Sequence, residues 1–174
     1  MQLSDDDFKL FELPRRFALD EAELDTRRRA LQAQVHPDRF AADGSAAQRL
    51  ATQWAMRVNA GYRRLKDPLS RAAYLCELHG QPVDVERNTA MPAEFLIQQM
   101  QWRESLEESS TAAEVRALEA AVTQQQSLML ARLATLLDHD NDHAAAAAQL
   151  RALMFVSRFR QDIDRSLDRL DPQR

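Results

Sequence analysis

Four consecutive residues, His36-Pro37-Asp38-Arg39, bring an imidazole, a carboxylate and a guanidinium together at one point of the chain. Such a set could transfer protons or bind a charged partner. Proline cannot continue an α-helix, and it disfavours helical backbone angles for the residue before it. The chain must therefore turn here and present these side chains on a loop. No companions that would complete a catalytic pocket are evident, so binding is favoured over catalysis.

A second polar cluster, from Asp138 to His143, begins with the alternating aspartates of a calcium-binding loop. The pattern then fails, because His143 stands where the loop needs glycine and Gln149 where it needs a bidentate glutamate. A zinc site would need a third ligand beside His139 and His143. A charged loop between helices is the better interpretation, and neither a metal nor another cofactor is predicted.

The single cysteine, Cys76, excludes an intrachain disulfide and a multi-cysteine metal or cluster site. It falls on the apolar side of a predicted helix, where thiols are commonly buried and unreactive. Because the chain has three glycines in 174 residues, a glycine-rich phosphate loop is not expected either. The sequence therefore predicts a protein that is not an enzyme.

Composition predicts an all-α protein. Hydrophobic residues make up 45% and charged residues 29% of the chain, and strong helix formers dominate. The net charge of −4 argues against general affinity for nucleic acid. No stretch approaches the roughly 20 apolar residues of a membrane span, and the first residues resemble neither a secretory signal nor a transit peptide. We therefore expect a cytoplasmic protein without a membrane partner.

Capping residues and prolines place the helices around the turn. Ser4 is expected to cap a short first helix, Asp20 a helix that runs to about Val35, and Ser45 a helix that runs to Lys66. The last two make an antiparallel hairpin joined by the turn. In its second helix, the residues predicted to face the first are Leu50, Trp54, Val58, Gly61, Tyr62 and Leu65.

The composition of residues 81–91 is typical of a linker, so we predict two domains. The first spans residues 1–78, the linker residues 79–91 and the second domain residues 92–174. Proline, serine and threonine caps and short loops predict an antiparallel three-helix bundle in the second domain. Its helices are predicted at about 92–108, 112–138 and 144–170.

Two helices of the predicted bundle carry apolar residues outside their core stripes. At about 100° per residue, Phe95, Trp102 and Leu106 share one face, while Leu96, Ile97 and Met100 fall on the opposite side. In the last helix Met154 and Phe155 lie off the stripe that is formed by Leu150, Leu153, Val156, Ile163, Leu167 and Leu170. Surplus apolar surface indicates a partner site, packing against the first domain or a dimer contact, so self-association stays open.

Seven arginines surround the turn in sequence: Arg27, Arg28, Arg29, Arg39, Arg57, Arg63 and Arg64. They could form a solvated helix face. They could instead form an electrostatic docking surface beside the turn, for an acidic protein or, as the alternative, for nucleic acid. The spacing alone does not choose between these interpretations.

The first half of the chain resembles the J-domain of a co-chaperone. The His36-Pro37-Asp38 tripeptide between two antiparallel helices is similar to the signature of that family. Three further stretches resemble J-domain sequences in the same register, namely Phe8–Leu13, Arg28–Val35 and Val58–Pro68. The second half is similar to the C-terminal bundle of the HscB family, J-type co-chaperones of iron–sulfur cluster biogenesis. The stretches that carry this likeness are Phe95–Met100, Arg103-Glu104 and Leu150–Phe155.

The resemblance implies a function with two protein partners and no catalysis. A member of this family stimulates the ATPase of the DnaK-type chaperone HscA and delivers the cluster scaffold IscU to it. The ATPase site would comprise His36, Pro37, Asp38, Arg39, Arg27, Arg28 and Arg29. The scaffold site would comprise Leu96, Ile97, Met100, Gln101, Glu104 and Phe155. Iron and sulfide would belong to the scaffold.

Two positions depart from the family pattern. Arg39 replaces the usual lysine after the tripeptide, which keeps the charge but changes its geometry. Gln101 stands where related chains have a glutamate, so this part of the scaffold contact differs.

Overall fold

The computed structural model describes residues 2–40, 44–84 and 91–171, in which helices are the only regular secondary structure. The all-α prediction is therefore confirmed. The helices are α1 (Asp7–Leu10), α2 (Glu21–Val35), α3 (Ser45–Lys66), α4 (Pro68–Leu78), α5 (Ala93–Glu108), α6 (Ala112–Asp138) and α7 (His143–Leu170), with a 3₁₀ turn at Pro37–Phe40.

The chain divides into two compact units, Met1–Leu75 and Cys76–Arg174, and helix α4 crosses the division. Residues 85–90 of the predicted linker lie outside the described residues. Among the helices of the described ranges, none combines the length and hydropathy that crossing a bilayer requires.

The helix starts in the first unit follow local capping chemistry. The Asp20 carboxylate accepts hydrogen bonds from two amides of the first turn of α2, which confirms the predicted cap. The prediction for Ser4 was wrong, because Asp6 caps α1 by accepting from the Lys9 amide. Ser45 is the first residue of α3 and not its cap. Gly44 precedes it at φ 88°, a conformation that glycine adopts without strain.

A buried carboxylate joins α1 to α3. Asp7 has no exposed surface, and its oxygens lie 2.5 Å from Arg57 Nη1 and 3.3 Å from Arg64 Nη1. Its backbone amide donates to the Tyr74 hydroxyl at 3.1 Å. A Cβ at Gly61 would lie 3.1 Å from Asp7 Oδ1, closer than an ordinary van der Waals contact, so glycine at this position leaves the carboxylate more room. Two of the seven arginines, Arg57 and Arg64, therefore form ion pairs that link α3 to α1.

The hairpin of α2 and α3 buries most of its predicted apolar residues. Val58, Gly61 and Leu65 are buried, whereas Leu50 is exposed, contrary to the prediction. Gln32 of α2 contacts Asn59 of α3. Because the helices run antiparallel and Gln32 lies level with Asn59, Leu50 lies beyond Val35, the last residue of α2.

In the second unit α6 and α7 pack along their lengths and α5 lies against both. A Thr111–Glu114 capping box starts α6, and the Asp142 carboxylate caps α7. The apolar residues that were predicted to form the core face of α7 are buried, except for Leu170. Leu170 is the last residue of α7 and lines an open groove with Leu106, so no side chain covers it fully.

Candidate functional site

The tripeptide forms an exposed turn at the end of α2. His36 leaves the helix at φ −63° and ψ 126°, and the 3₁₀ turn begins at Pro37, whose side chain lies outside the described residues. His36 Nδ1 accepts a hydrogen bond from the Asp38 amide at 3.3 Å and lies 3.6 Å from Asp38 Oδ2. The side chains of His36 and Asp38 are 58% and 89% exposed, so both can meet a partner.

Arg39 ties this turn back to α2. Its amide donates to the His36 carbonyl at 3.1 Å, and its guanidinium donates to the Ala33 carbonyl at 2.8 Å. These hydrogen bonds occupy two carbonyls near the helix end, where the backbone has no continuing partner. The turn is thus fixed by its own backbone and by Arg39, while its polar side chains stay exposed.

The three adjacent arginines of α2 have different surroundings. Arg27 pairs with Glu12 at 2.6 Å and with Glu23 at 3.4 Å. The guanidinium carbon of Arg28 lies 4.2 Å from the centre of the Tyr62 ring, a cation–π contact. Arg29 is exposed, donates to the Thr26 hydroxyl and helps to lower the pKa of the Asp25 carboxyl. The three arginines are adjacent in sequence, but among the described residues each has a different kind of partner.

Polar contacts fix the seam between α2 and α3. Asp25 accepts a hydrogen bond from the Tyr62 hydroxyl at 2.8 Å and contacts the Lys66 ammonium at 3.3 Å. The Tyr62 hydrogen bond, followed by Lys66, lowers the pKa of the Asp25 carboxyl. Gln32 and Asn59 pair further along at 2.9 Å. These contacts set the register of the hairpin and hence where the turn stands.

An apolar patch lies on the outer face of α5, formed by Leu96, Ile97 and Met100. These side chains are 42%, 62% and 69% exposed, which confirms the exposure predicted from their spacing. Gln101 and Glu104 are exposed beside them on the same helix. Exposed apolar side chains with a polar border are the usual composition of a protein-binding surface.

Phe155 packs against the aromatic core of the second unit. Its ring meets Phe95 edge-to-face at 5.6 Å and stacks on Phe159 at 6.1 Å between centroids. The Arg103 guanidinium lies 5.2 Å from the Phe155 ring centre. Phe155 is therefore half-buried. It is partly exposed, as predicted, but it also supports the bundle.

The opposite face of α5 belongs to the core, as the spacing predicts. Phe95 and Trp102 are buried, and their rings meet edge-to-face at 6.0 Å. Trp102 also stacks on Phe159 of α7 at 5.9 Å. The two faces of α5 thus differ in role, which gives matched positions for mutation.

Sequence reasoning missed two features of the second unit. Arg103 follows Met100 by three residues, so the same angular count could have placed it beside the patch. The stacking of His79 on His143, with ring centroids 3.8 Å apart, had no sequence signal because the two residues are 64 positions apart.

The loop from Asp138 to His143 is built from caps and ion pairs. Asp142 Oδ1 accepts from the Ala145 amide at 2.9 Å, and Asp140 pairs with Arg132 at 3.6 Å. Asn141 has φ 52°, a left-handed conformation that asparagine tolerates better than most residues. Within residues 2–40, 44–84 and 91–171, no three potential ligands are arranged to hold a metal ion.

Cys76 is buried near the start of α7, with its sulfur 3.8 Å from the His143 carbonyl oxygen. Burial raises the pKa of the thiol to about 11, against the opposing effect of Arg151. The thiol is therefore protonated at neutral pH, and a nucleophilic role is not favoured.

His143 makes the stability of the second unit sensitive to acid. Burial, and then the neighbouring His79 ring, lower the pKa of His143. The His143 imidazole thus binds a proton less tightly in the folded protein than in the unfolded chain. The stability that neutral His143 contributes is complete above the ordinary histidine pKa of about 6.5 and is lost as the pH falls through the lowered pKa.

When the pH is lowered from 7.5 to 5, the free energy of unfolding of His143→Gln is expected to fall by less than that of the wild type. Urea unfolding at both pH values measures this difference, and a Trp54→Phe background leaves Trp102 as the reporter of the second unit. His139→Gln is the matched control in the same loop, because His139 is exposed. An acid loss in His143→Gln as large as in the wild type would contradict the role of His143.

Comparison with known proteins places the chain in a family. The family model described as "HSCB C-terminal oligomerisation domain" matches residues 91–164. A co-chaperone protein HscB homolog from Burkholderia multivorans is 50% identical and covers 98% of this chain and 99% of its own. The proteins it resembles are thus co-chaperones.

Two solved structures agree with this assignment. Chaperone HscB from Vibrio cholerae is 38% identical, with a TM-score of 0.87 over 95% of this chain and 99% of that one. The human co-chaperone protein HscB is 28% identical, with a TM-score of 0.85 over 94% and 83%. The chain belongs to the HscB family of co-chaperones.

Proposed function

We propose that the chain is an adaptor between two proteins. Its tripeptide turn stimulates the ATPase of a DnaK-type chaperone of the HscA kind, and its apolar patch delivers a scaffold of the IscU kind. The observation that supports this proposal is that the two compact units expose surfaces of different chemistry, a charged turn on the first and an apolar patch on the second. The maturation of iron–sulfur proteins in the cytoplasm is the process that this activity would serve.

The ATPase site comprises His36, Pro37, Asp38 and Arg39 with the arginines of α2. Exposed charges act mainly on the rate at which partners meet, and their effect is screened by salt. Such a site suits a partner that binds and leaves in every ATPase cycle. The exposed imidazole and carboxylate of the turn are the groups that would contact the chaperone.

The scaffold site comprises Leu96, Ile97, Met100 and Phe155, with Gln101 and Glu104 at the rim. Apolar side chains that become buried on binding supply most of the affinity of an interface, and a polar rim limits access of water. A scaffold bound in this way would dissociate more slowly than a partner held by surface charge. This difference suits delivery of one protein to another.

A reconstituted ATPase assay tests this proposal. The hydrolysis rate of the chaperone is measured alone, with the full chain, and with the chain and the scaffold together. We expect the chain to raise the rate and the scaffold to raise it further. An unchanged rate, together with no calorimetric binding of the scaffold, would refute the adaptor function.

Self-association through the apolar patch is the second candidate. The matching family model is described as an oligomerisation domain, which favours it. Sedimentation equilibrium of the wild type and of Met100→Ala, with and without scaffold, separates the two uses of the surface. A dimer that dissociates when the scaffold binds would mean that both use the patch.

A further inference from the structure

An open groove lies between the C-terminal ends of α5 and α7, within the second unit. Its volume is about 750 Å³, which is within the range of cavities that hold a ligand or part of a partner chain. The side chains that line it are Leu106, Glu107 and Ser109 of α5 and Asp162, Arg165, Ser166, Arg169 and Leu170 of α7. We call this surface the α5–α7 groove. It combines two leucines with charged side chains, so it suits a polar chain that also carries an apolar residue.

The ring contacts between α5 and α7 show where the groove begins. Phe95 contacts Phe155, and further along both helices Trp102 contacts Phe159. The two helices therefore run in the same direction. Leu106 follows Trp102 by four residues, so the groove continues the line of these ring contacts towards the C-terminal ends of both helices.

Arg103 connects the apolar patch to the groove. It follows Met100 of the patch by three residues and precedes Glu107 of the groove by four, so the three side chains are neighbours on one side of α5. Its guanidinium lies 5.2 Å from the centre of the Phe155 ring. The patch, Arg103 and the groove thus form one continuous surface.

Three arginines of α7 follow the edge of this surface. Arg158, Arg165 and Arg169 are seven and four residues apart, which places them on one side of the helix over about 16 Å. All three are exposed, and Arg165 pairs with Asp162. Arg158 and Arg169 form no ion pair with a described residue, and Arg169 Nη2 donates to Ser166 Oγ at 3.5 Å. Their charges are therefore available to a partner.

The charge of this surface is positive, although the whole chain has a net charge of −4. Arg103 and the three arginines of α7 outnumber the two carboxylates of the groove, Glu107 and Asp162. Asp164 and Asp168 lie roughly 90° or more around α7 from the middle of the arginine row. An acidic partner fits these charges. A nucleic-acid backbone fits less well, because its phosphates would lie beside the two carboxylates.

We propose that the α5–α7 groove binds an extended acidic segment of the scaffold protein whose apolar surface binds the patch. A length of about 16 Å accommodates about five residues of extended chain. Carboxylates of this segment pair with Arg158 and Arg169, and an apolar side chain packs between Leu106 and Leu170. The inference rests on the proposed scaffold binding and extends its site along α7. Because these arginines are exposed, their contribution is screened by salt, unlike that of the patch.

Calorimetric titration of the full chain with the scaffold tests the groove. At low salt Arg158→Glu and Arg169→Glu are each expected to raise the dissociation constant about threefold or more, and the effect should shrink at high salt. Glu107→Gln is expected to lower it about twofold, because it removes a carboxylate that repels the segment. Damage to the fold would not tighten binding, so this opposite sign is specific to a charge effect.

Arg132→Glu is the matched control. Arg132 lies on α6, is 59% exposed and pairs with Asp140, so the variant makes the same change of charge away from the groove. Its dissociation constant should stay within about 1.5-fold of the wild-type value once its fold is verified by circular dichroism. A benzophenone side chain in place of Leu170 should crosslink to a scaffold peptide rich in Asp and Glu. A crosslinked peptide without carboxylates would overturn the acidic chemistry.

The outcomes separate this inference from the function on which it rests. If Met100→Ala weakens scaffold binding while the Arg158, Arg169 and Glu107 variants bind like the wild type at low salt, the groove is refuted and the adaptor function stands. If the wild type does not bind the scaffold, scaffold delivery fails and takes the inference with it. If Arg169→Glu keeps its scaffold affinity but loses self-association or binding to a random DNA duplex, the groove has a different occupant and the inference is overturned.

Discussion

A His36→Gln variant should fold like the wild type and bind the scaffold, yet fail to stimulate the chaperone ATPase. The His36 side chain is mostly exposed, and its polar contacts within the described residues are with Asp38. Its loss from a surface turn should change the free energy of unfolding by about 0.5 kcal/mol or less. ATPase rates and urea unfolding of the same preparation measure both effects.

His139→Gln provides the matched control, since it removes an exposed histidine from a loop of the second unit. It should leave stimulation unchanged. Normal stimulation by His36→Gln would show that the turn is not the ATPase site. A collapse of its melting temperature would show that His36 supports the fold, which its exposure argues against.

Truncation of the apolar patch should weaken scaffold binding without unfolding the protein. We expect Leu96→Ala and Met100→Ala each to weaken binding by about 1–3 kcal/mol, the range of interface anchors. Both side chains are largely exposed in the free protein, so their loss should destabilise it far less than the ~2–5 kcal/mol of a buried residue. Calorimetry with the scaffold and urea unfolding give the two numbers for each variant.

The buried face of the same helix supplies the control. Phe95→Ala and Trp102→Ala should destabilise the second unit by about 3–5 kcal/mol, because each removes a buried aromatic ring. Scaffold affinity should be compared at temperatures where these variants remain folded. If Leu96→Ala unfolds the bundle and spares affinity, the two faces of α5 have the opposite roles.

Phe155→Ala should show both effects. Spacing alone placed Phe155 off the core stripe, which suggested a small loss of stability. The structure packs its ring against Phe95 and Phe159, so truncation removes core contacts as well as patch surface. We therefore expect its destabilisation to lie between those of Leu96→Ala and Phe95→Ala.

Much of the fold follows from local signals in the sequence. Pro37 forces the turn, Asp20 caps α2, and Thr111 caps α6, each through chemistry within a few residues. The two faces of α5 follow from helical periodicity, which depends only on residue spacing. These features were predictable because the residues that cause them are close in sequence.

The exposure of individual side chains at helix ends was less predictable. Leu50 continues the stripe of α3 and Leu170 that of α7, yet both are exposed. Periodicity gives the direction in which a side chain points, but not whether another element reaches its level. Leu50 lies past the end of α2, which only the register of the hairpin reveals.

The sequence by itself determined that a polar turn stands between two arginine-bearing helices and that α5 has a second apolar face. Only the tertiary structure decided which arginines are available, because their partners are distant in sequence. Asp7 holds Arg57 across 50 positions, and Glu12 holds Arg27 across 15. A charge is neutralised by whatever lies within a few ångströms of it, and that distance is set by helix packing rather than by sequence spacing.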